Sequence, residues 1–301
     1  MVKDKIVFVT GNGFDIDLGL NTSFKSFIDS NDFVSLADIP LIVKIRENKD
    51  DALWCDIEGV IRKSLICNDS NNEDINYAWQ AITRHWEHYI QDATRKERIT
   101  INEKSCAYMI LKQMSSLITW YSFNYTSPFY LTNLGNREPI YVHNKFLPVE
   151  CTNGVHILIK EAIIGVDSNL PDSILSNNEV SHIIKKNNRF YKETYITNKL
   201  VESECIILFG HSLGITDSDY FKPFFRSIVD STMKSKYIYI ITYDNNSLED
   251  IKLHLKEYDI DYNELYRKSY LKTVFTSERA NNTDFKEVLE FIAVRRNFTT
   301  A

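Results

Sequence analysis

The sequence predicts an α/β protein: a mainly parallel sheet flanked by helices, with a helical insertion. Three observations carry that expectation. Short runs rich in β-branched and aromatic residues recur along the chain, several of them apolar at consecutive positions, as strands covered on both faces are. Helical patterns alternate with these runs through the second half, the order expected of an α/β fold. The first run ends in a glycine turn, "TGNGFD", at the edge of the sheet where ligands bind in doubly wound folds.

Taken in order, "KIVFVT" (5–10) is the first strand, and a short helix runs from Thr22 to about Asp29 with Asn21, Thr22 or Ser23 as its cap. The stretch from about 35 to 115 is mostly helical and includes "ALWCDIEGVIRKSL" and "YAWQAITRHWEHYIQDATRKE". It reads as an insertion packed beside the sheet, inside a single domain spanning 1–301. Strands follow at "LITWYSF" (117–123), "PIYVH" (139–143) and "EAIIGV" (161–166), with a helix over about 183–197. Then come "ECIILFG" (204–210), a helix over 217–230, "YIYIITY" (237–243), a helix over 246–257, "LKTVFTS" (271–277) and a helix over 283–296.

The 301 residues carry a net charge of −6, which argues against broad electrostatic binding to nucleic acid or to an acidic membrane. Five cysteines, at 55, 67, 106, 151 and 205, form no C-x-x-C pair. That spacing speaks against a disulfide framework or structural zinc and for a reducing compartment. No stretch approaches the ~18 apolar residues of a spanning helix, and the start lacks the order of a signal peptide. A soluble, cytoplasmic protein is expected.

Gly11 and Gly13 would let backbone approach a phosphate at the end of the first strand. A tight structural turn explains the same two residues equally well. The hydride-transfer version of this motif fits poorly. Its third glycine would fall at Ile16, whereas the next glycine is Gly19, and helix rather than a second strand with a terminal acid follows. Asp15 reads either as a ribose contact or as a helix cap, and Asp17 as solvated.

Several segments together resemble the AbiH-type family of bacteriophage abortive-infection proteins: "GNGFDIDLGLNTSFKSF", "WCDIEGVI" (54–61), "FNYTSPFY" (123–130), "VHN" (142–144), "IIGVD" (163–167) and "LFGHSLGITDSDYF" (208–221). They occur in family order over nearly the whole chain. That family is in turn similar to sirtuin-like NAD-binding and NADase domains, so the resemblance implies a Rossmann-like fold of sirtuin-like type. By position it implies a catalytic Asn124 and His143. Cofactor contacts would come from Gly11, Asn12, Gly13, Phe14, Asp15 and Thr22, from Gly165 and Asp167, and from Gly210, His211, Ser212 and Asp217, the last group near the adenosine end. Two positions depart from the family pattern: Asn144 stands where a glycine follows the histidine, and Thr126 where "N-Y-D" has its aspartate.

The implied function is anti-phage defence through NAD, bound and hydrolysed to nicotinamide and ADP-ribose, with no metal. Nicotinamide leaves neutral, so the site needs no acid for the leaving group. It needs an amide to orient ribose or water and a base near neutrality. Asn124 and His143 fall at strand ends, where such groups converge, although a turn-forming asparagine and a hydrogen-bonded strand-end histidine are the plainer readings. Toxicity to the host cell would demand control, by homo-oligomerisation or by a separate sensor protein.

Two other readings remain. In the second reading the same pocket senses a nucleotide without turnover and transmits a conformational change. "GHSLG" (210–214) matches a hydrolase nucleophile elbow with Ser212 as nucleophile and Asp244 as acid, but its only later histidine, His254, lies in a helical pattern rather than on a loop beside Ser212. His85 and His88 are one helical turn apart, a spacing that suits a metal but lacks an evident third ligand. Trp54 and Glu58 recur in the family-like segment, and core packing and a helix-face ion pair explain them equally well.

Overall fold

The computed structural model describes residues 6–47, 57–67, 71–95, 98–115, 118–134, 138–146, 162–191, 193–232, 236–278 and 283–297. Trp54, Cys55 and Cys151 lie outside them. The chain runs β1 (Ile6–Thr10), α1 (Asn12–Asp17), α2 (Phe24–Ile28), α3 (Asn31–Val34), α4 (Pro40–Glu47), α5 (Ile57–Cys67), α6 (Asn72–Ala93) and α7 (Cys106–Gln113). It continues through β2 (Thr119–Ser122), α8 (Pro128–Thr132), β3 (Ile140–Tyr141), α9 (Asp172–Leu175), α10 (Glu193–Glu202), β4 (Cys205–Phe209) and α11 (Ser218–Val229). The last elements are β5 (Tyr237–Thr242), α12 (Asn245–Glu257), α13 (Tyr262–Lys268), β6 (Tyr270–Phe275) and α14 (Thr283–Asn297).

The six strands form one parallel sheet in the order β3-β2-β1-β4-β5-β6. That is the order of the Rossmann fold. β1 is buried at every position and sits in the middle, with Phe8 level with Trp120 of β2 and Ile207 of β4. Alternation along each strand separates the two faces. Ile6, Phe8, Ile207 and Phe209 pack with Phe14 of α1, with α7 through Ile110 and Leu111, and with Val288 of α14. Val7, Val9, Ile206 and Leu208 pack against Leu200 of α10, Phe221 and Phe224 of α11, Leu255 of α12 and Leu265 of α13. Each such side chain, fully buried, contributes about 1.5–3 kcal/mol.

A third apolar cluster forms a helical layer. α6 contributes Ile75, Ala78, Ile82, Trp86, Tyr89 and Ile90, a stripe at helical spacing, and Asn71 caps its start by accepting from Asp74 N at 2.8 Å. α2 to α5 pack on that stripe, together with Ile164, Val166, Ile183 and Ile184. α7, although inside the 35–115 stretch, packs on the sheet.

Two expectations are corrected here. Residues 162–166 are not a strand: Ile163 N donates to His143 O at 2.8 Å and Val166 bridges Ile184 in isolation, while Ile164 and Val166 turn into the helical layer. The helix expected over 183–197 begins only at Glu193; Ser181–Ile183 and Lys185–Asn187 are 3₁₀ turns. An apolar run does not by itself distinguish a sheet core from a helix-packed loop.

Candidate functional site

The loops leaving β1 and β4 interlock at the carboxyl edge of the sheet. Gly11 N donates to Phe209 O at 3.0 Å and Gly13 N to Gly210 O at 2.9 Å. Gly210 has φ +61, and a side chain there would lie 2.4 Å from the Gly13 backbone. One on Gly13 would meet Gly210 Cα at 2.7 Å. The glycines are thus required by the chain's own packing. Three of the loop's amides are turned to the chain itself, since Phe14 N also donates internally, to Gly11 O at 2.9 Å.

From this seam the chain enters α1, a helix where the sequence reading had only a turn. Its first residues point two ways. Phe14 is fully buried and meets Phe209 edge-on at 5.1 Å, so its side chain belongs to the sheet core. Asp15 turns into the cleft. Its Oδ1 accepts from Asn124 Nδ2 at 2.9 Å, and its Oδ2 from Thr126 Oγ1 at 2.5 Å and Thr22 Oγ1 at 3.4 Å. Burial pushes this carboxyl up to about 7, more than the hydrogen bonds from Thr126, Asn124 and Thr22 pull it down. Asp15 caps no helix: Ser23 caps α2, accepting from Ser26 N at 3.0 Å. Asp17 is buried rather than solvated, and its Oδ2 accepts from Ala107 N in the first turn of α7 at 2.8 Å.

Asn124 follows β2. Its Nδ2 donates to Gly11 O at 3.0 Å as well as to Asp15, so both amide hydrogens are engaged and the group offered to the cleft is Oδ1, an acceptor.

Across the floor, two histidines converge on Asp217. His143 Nε2 lies 3.3 Å from Asp217 Oδ1, close enough for an ion pair but without the alignment of a hydrogen bond. His211 Nε2 lies 3.5 Å from Oδ2. Leu213 N donates to His211 Nδ1 at 3.0 Å, which places the neutral ring's proton on Nε2, toward the carboxylate. The Phe123 ring separates the imidazoles, 5.2 Å from His143 and 4.6 Å from His211. Asn144, next in the chain, has φ +60, a left-handed conformation that glycine favours and asparagine tolerates.

Behind Asp217 stands Lys185, whose Nζ reaches Asp217 Oδ1 at 2.9 Å and Glu58 Oε2 at 2.8 Å. Burial alone would raise the Asp217 carboxyl, but Lys185 and then His143 hold it well below the usual range. Burial would likewise lower the Lys185 ammonium, and Asp217 and Glu58 outweigh it and raise it. Sequence reasoning missed Lys185, because a lysine in "IIKKNN" gives no sign of being 2% exposed.

The floor opens into a cleft of about 1070 Å³ between the strand ends and the helical layer. That is at the large end for small-molecule sites. Gly11, Asn12, Gly13, Asp15, Thr22, Asn124, His143, Gly210, His211, Ser212 and Asp217 all line it. Gly165 and Asp167 stand behind its wall, Gly165 N on Glu58 Oε1 at 2.9 Å and Asp167 Oδ1 on Arg62 Nε at 2.8 Å. Burial raises the Asp167 carboxyl despite Arg62. The charge is uneven: Asp15, Glu58 and Asp217 lie buried or nearly so at the floor, whereas Lys25, Lys63 and Lys256 are exposed, beside Asp250 and Glu257.

The rival motifs resolve differently. His254, expected away from Ser212, meets it: its Nδ1 lies 2.7 Å from Ser212 O, on the main chain rather than the hydroxyl. Leu213, not Ser212, has the positive φ, and Asp244 caps α12 by accepting from Ser247 N at 2.9 Å. His88 pairs with Asp32 at 2.8 Å. Among the described residues no three metal-ligating side chains come together, and no helix is long and apolar enough to cross a membrane.

No curated protein matches the chain. The family model described as "Bacteriophage abortive infection AbiH" matches residues 7–243, from β1 through the end of β5, and so takes in every cleft-floor residue named above: the chain belongs to the AbiH family of bacteriophage abortive infection.

Proposed function

We propose that this family member acts in anti-phage defence by binding NAD in the cleft and hydrolysing it to nicotinamide and ADP-ribose. One observation carries the reading: an oriented amide acceptor, Asn124, and a carboxylate-backed imidazole, His143, share one buried floor at the switch point of a parallel sheet. The uneven charge supports the same ligand. A cationic nicotinamide ring suits the floor, where Asp15, Glu58 and Asp217 outnumber Lys185, and a diphosphate suits the exposed Lys25, Lys63 and Lys256 rather than the glycine loop, whose Gly11, Gly13 and Phe14 amides are engaged.

In this mechanism the bond from ribose C1′ to the ring nitrogen breaks, and its electron pair leaves with neutral nicotinamide. Acidic groups at the floor stabilise the cationic sugar. Asn124 Oδ1 accepts a hydrogen bond from the attacking water or a ribose hydroxyl. As the water oxygen bonds to C1′, its proton passes to His143, and the Asp217 carboxylate stabilises the imidazolium. Control would come from self-association or a separate sensor protein in the cytoplasm.

The test is incubation of purified protein with NAD, alone and with candidate partner proteins from its genetic neighbourhood, with nicotinamide measured directly. Nicotinamide release that disappears in Asn124→Ala and His143→Ala is expected. Undiminished release by both variants would refute the mechanism. A nucleotide sensor is the second reading, favoured by the imperfect alignment of His143 with Asp217. Under it NAD raises the melting temperature and is recovered intact.

A further inference from the structure

The chemistry above leaves one set of buried charges without a direct task. The Lys185 ammonium has three hydrogens and three acceptors: Glu58 Oε2 at 2.8 Å, Asp217 Oδ1 at 2.9 Å and Thr216 O at 3.3 Å. Glu58 is equally engaged, since its Oε1 accepts from Gly165 N at 2.9 Å and its Oε2 also from Thr216 Oγ1 at 3.1 Å. Three separate pieces of chain therefore meet at one nitrogen: α5 of the helical layer, the segment around Lys185, and the turn Ile215–Asp217 that follows β4.

The same carboxylate meets both imidazoles: Oδ1, which Lys185 holds, lies 3.3 Å from His143 Nε2, and Oδ2 lies 3.5 Å from His211 Nε2. With Lys185 in place, Oδ1 is fixed by a charge-assisted bond, and with it the position of the carboxylate beside the two rings. A second tie keeps α5 in place one turn further on, where Arg62 Nε reaches Asp167 Oδ1 at 2.8 Å and its Nη2 donates to Asn169 O at 2.7 Å. Glu58 and Arg62 are spaced i, i+4 and so share a face of α5.

We propose that Lys185 is a positioning residue: it couples α5 to the Asp217–His143 pair, so that the cleft floor is competent only while the helical layer stays docked. The proposal rests on the reading of His143 as proton acceptor and goes beyond it by naming what sets its orienting carboxylate. It also gives control a physical handle, since a partner that draws α5 away would remove Glu58 and loosen the lysine's grip on Asp217.

The experiment compares wild type, Lys185→Met and the double variant Lys185→Met/Glu58→Gln in the full chain. The single variant leaves two buried carboxylates without their cation and is expected to melt well below wild type. The double variant keeps the formal charge of the cluster at the wild-type value, and glutamine retains the acceptor for Gly165 N, so its melting temperature is expected to return close to wild type. Its kcat for NAD is expected to stay down by about 10²-fold with KM nearly unchanged, the loss that misplacement of a catalytic group produces. A double variant that regains both stability and kcat would show Lys185 to be structural and overturn the proposal. If wild type itself releases no nicotinamide, the NAD reading fails, and the ¹⁵N spectra of the His143 and His211 rings decide the coupling alone. Ring signals that differ between wild type and the refolded double variant support the coupling, and identical signals overturn it.

Discussion

Asp15 fixes the Asn124 amide: its Oδ1 takes one Nδ2 hydrogen at 2.9 Å while Gly11 O takes the other at 3.0 Å. An amide held at both hydrogens cannot flip, so Asn124 presents the same oxygen to any ligand. Asn124→Ala is expected to lower nicotinamide release by about 10²–10³-fold, the usual cost of one preorganised polar group in a closed site. A lowered melting temperature would accompany that loss, because Gly11 O and Asp15 Oδ1 lose their donor, with the variant still folded. Kinetics on the refolded variant, beside its thermal melt, check both halves.

Asp15 also makes stability depend on pH. Its ordinary value is 3.8 and burial raises it to about 7. The native state thus holds a proton that the unfolded state has lost between those values, so the contribution of Asp15 to stability is full below about 4 and is lost as pH rises toward 7. The shift corresponds to something on the order of 4 kcal/mol. Asp15→Asn removes the titration. Urea denaturation of both proteins from pH 5 to 8 should show wild type losing stability relative to the variant as pH rises; parallel curves would contradict it.

Gly13→Ala and Gly210→Ala act on one contact from its two sides. A new methyl would lie 2.7 Å from Gly210 Cα in the first and 2.4 Å from Gly13 backbone in the second, where φ is also +61. Backbone cannot yield as a flexible side chain does. Each variant is expected to lose about 3 kcal/mol or more, the second the greater amount. The denaturant midpoint reads the difference.

A serine-directed phosphonate is expected to leave Ser212 of the wild type unlabelled. The reason is geometric: His254 Nδ1 engages the Ser212 carbonyl, and Asp244 is held at the start of α12. Intact-mass spectrometry after phosphonate treatment is the direct check.

Lys25→Ala and Lys256→Ala should each raise the KM for NAD about 3- to 10-fold with kcat little changed, the effect of one exposed cation on a phosphate. Both lysines line the cleft and are exposed, and neither has an ion-pair partner among the described residues. The difference from wild type should shrink at about 0.5 M salt, where the Debye length falls to about 4 Å and the attraction is partly screened.

Much of this was legible in the sequence. β1, β4 and β5 announced themselves as consecutive apolar runs because both faces of a central parallel strand are covered. Asn124, His143 and His211 reached one floor because each lies just past the carboxyl end of a strand, and Asp217 joins them from the far end of the loop after β4. What stayed hidden depended on contacts distant in sequence. Ile164 and Val166 look like strand residues and pack on helices. Asp17 looks like a surface acid until α7 brings the Ala107 amide to it. Lys185 is indistinguishable from a solvated loop lysine until Glu58 and Asp217 close on it from two other elements. His254 is mid-helix, and only the packing of α12 lays it against Ser212.

The backbone-on-backbone seam between Gly13 and Gly210 limits how such a protein can diversify. Neither loop can gain a residue or a side chain without unseating its neighbour, so the strand-end wall of the cleft is closed to variation. New ligand preferences would have to arise on the opposite wall, where α2, α5 and α12 present Lys25, Ile66, Leu253 and Lys256 to solvent and a substitution disturbs no main-chain contact of the seam.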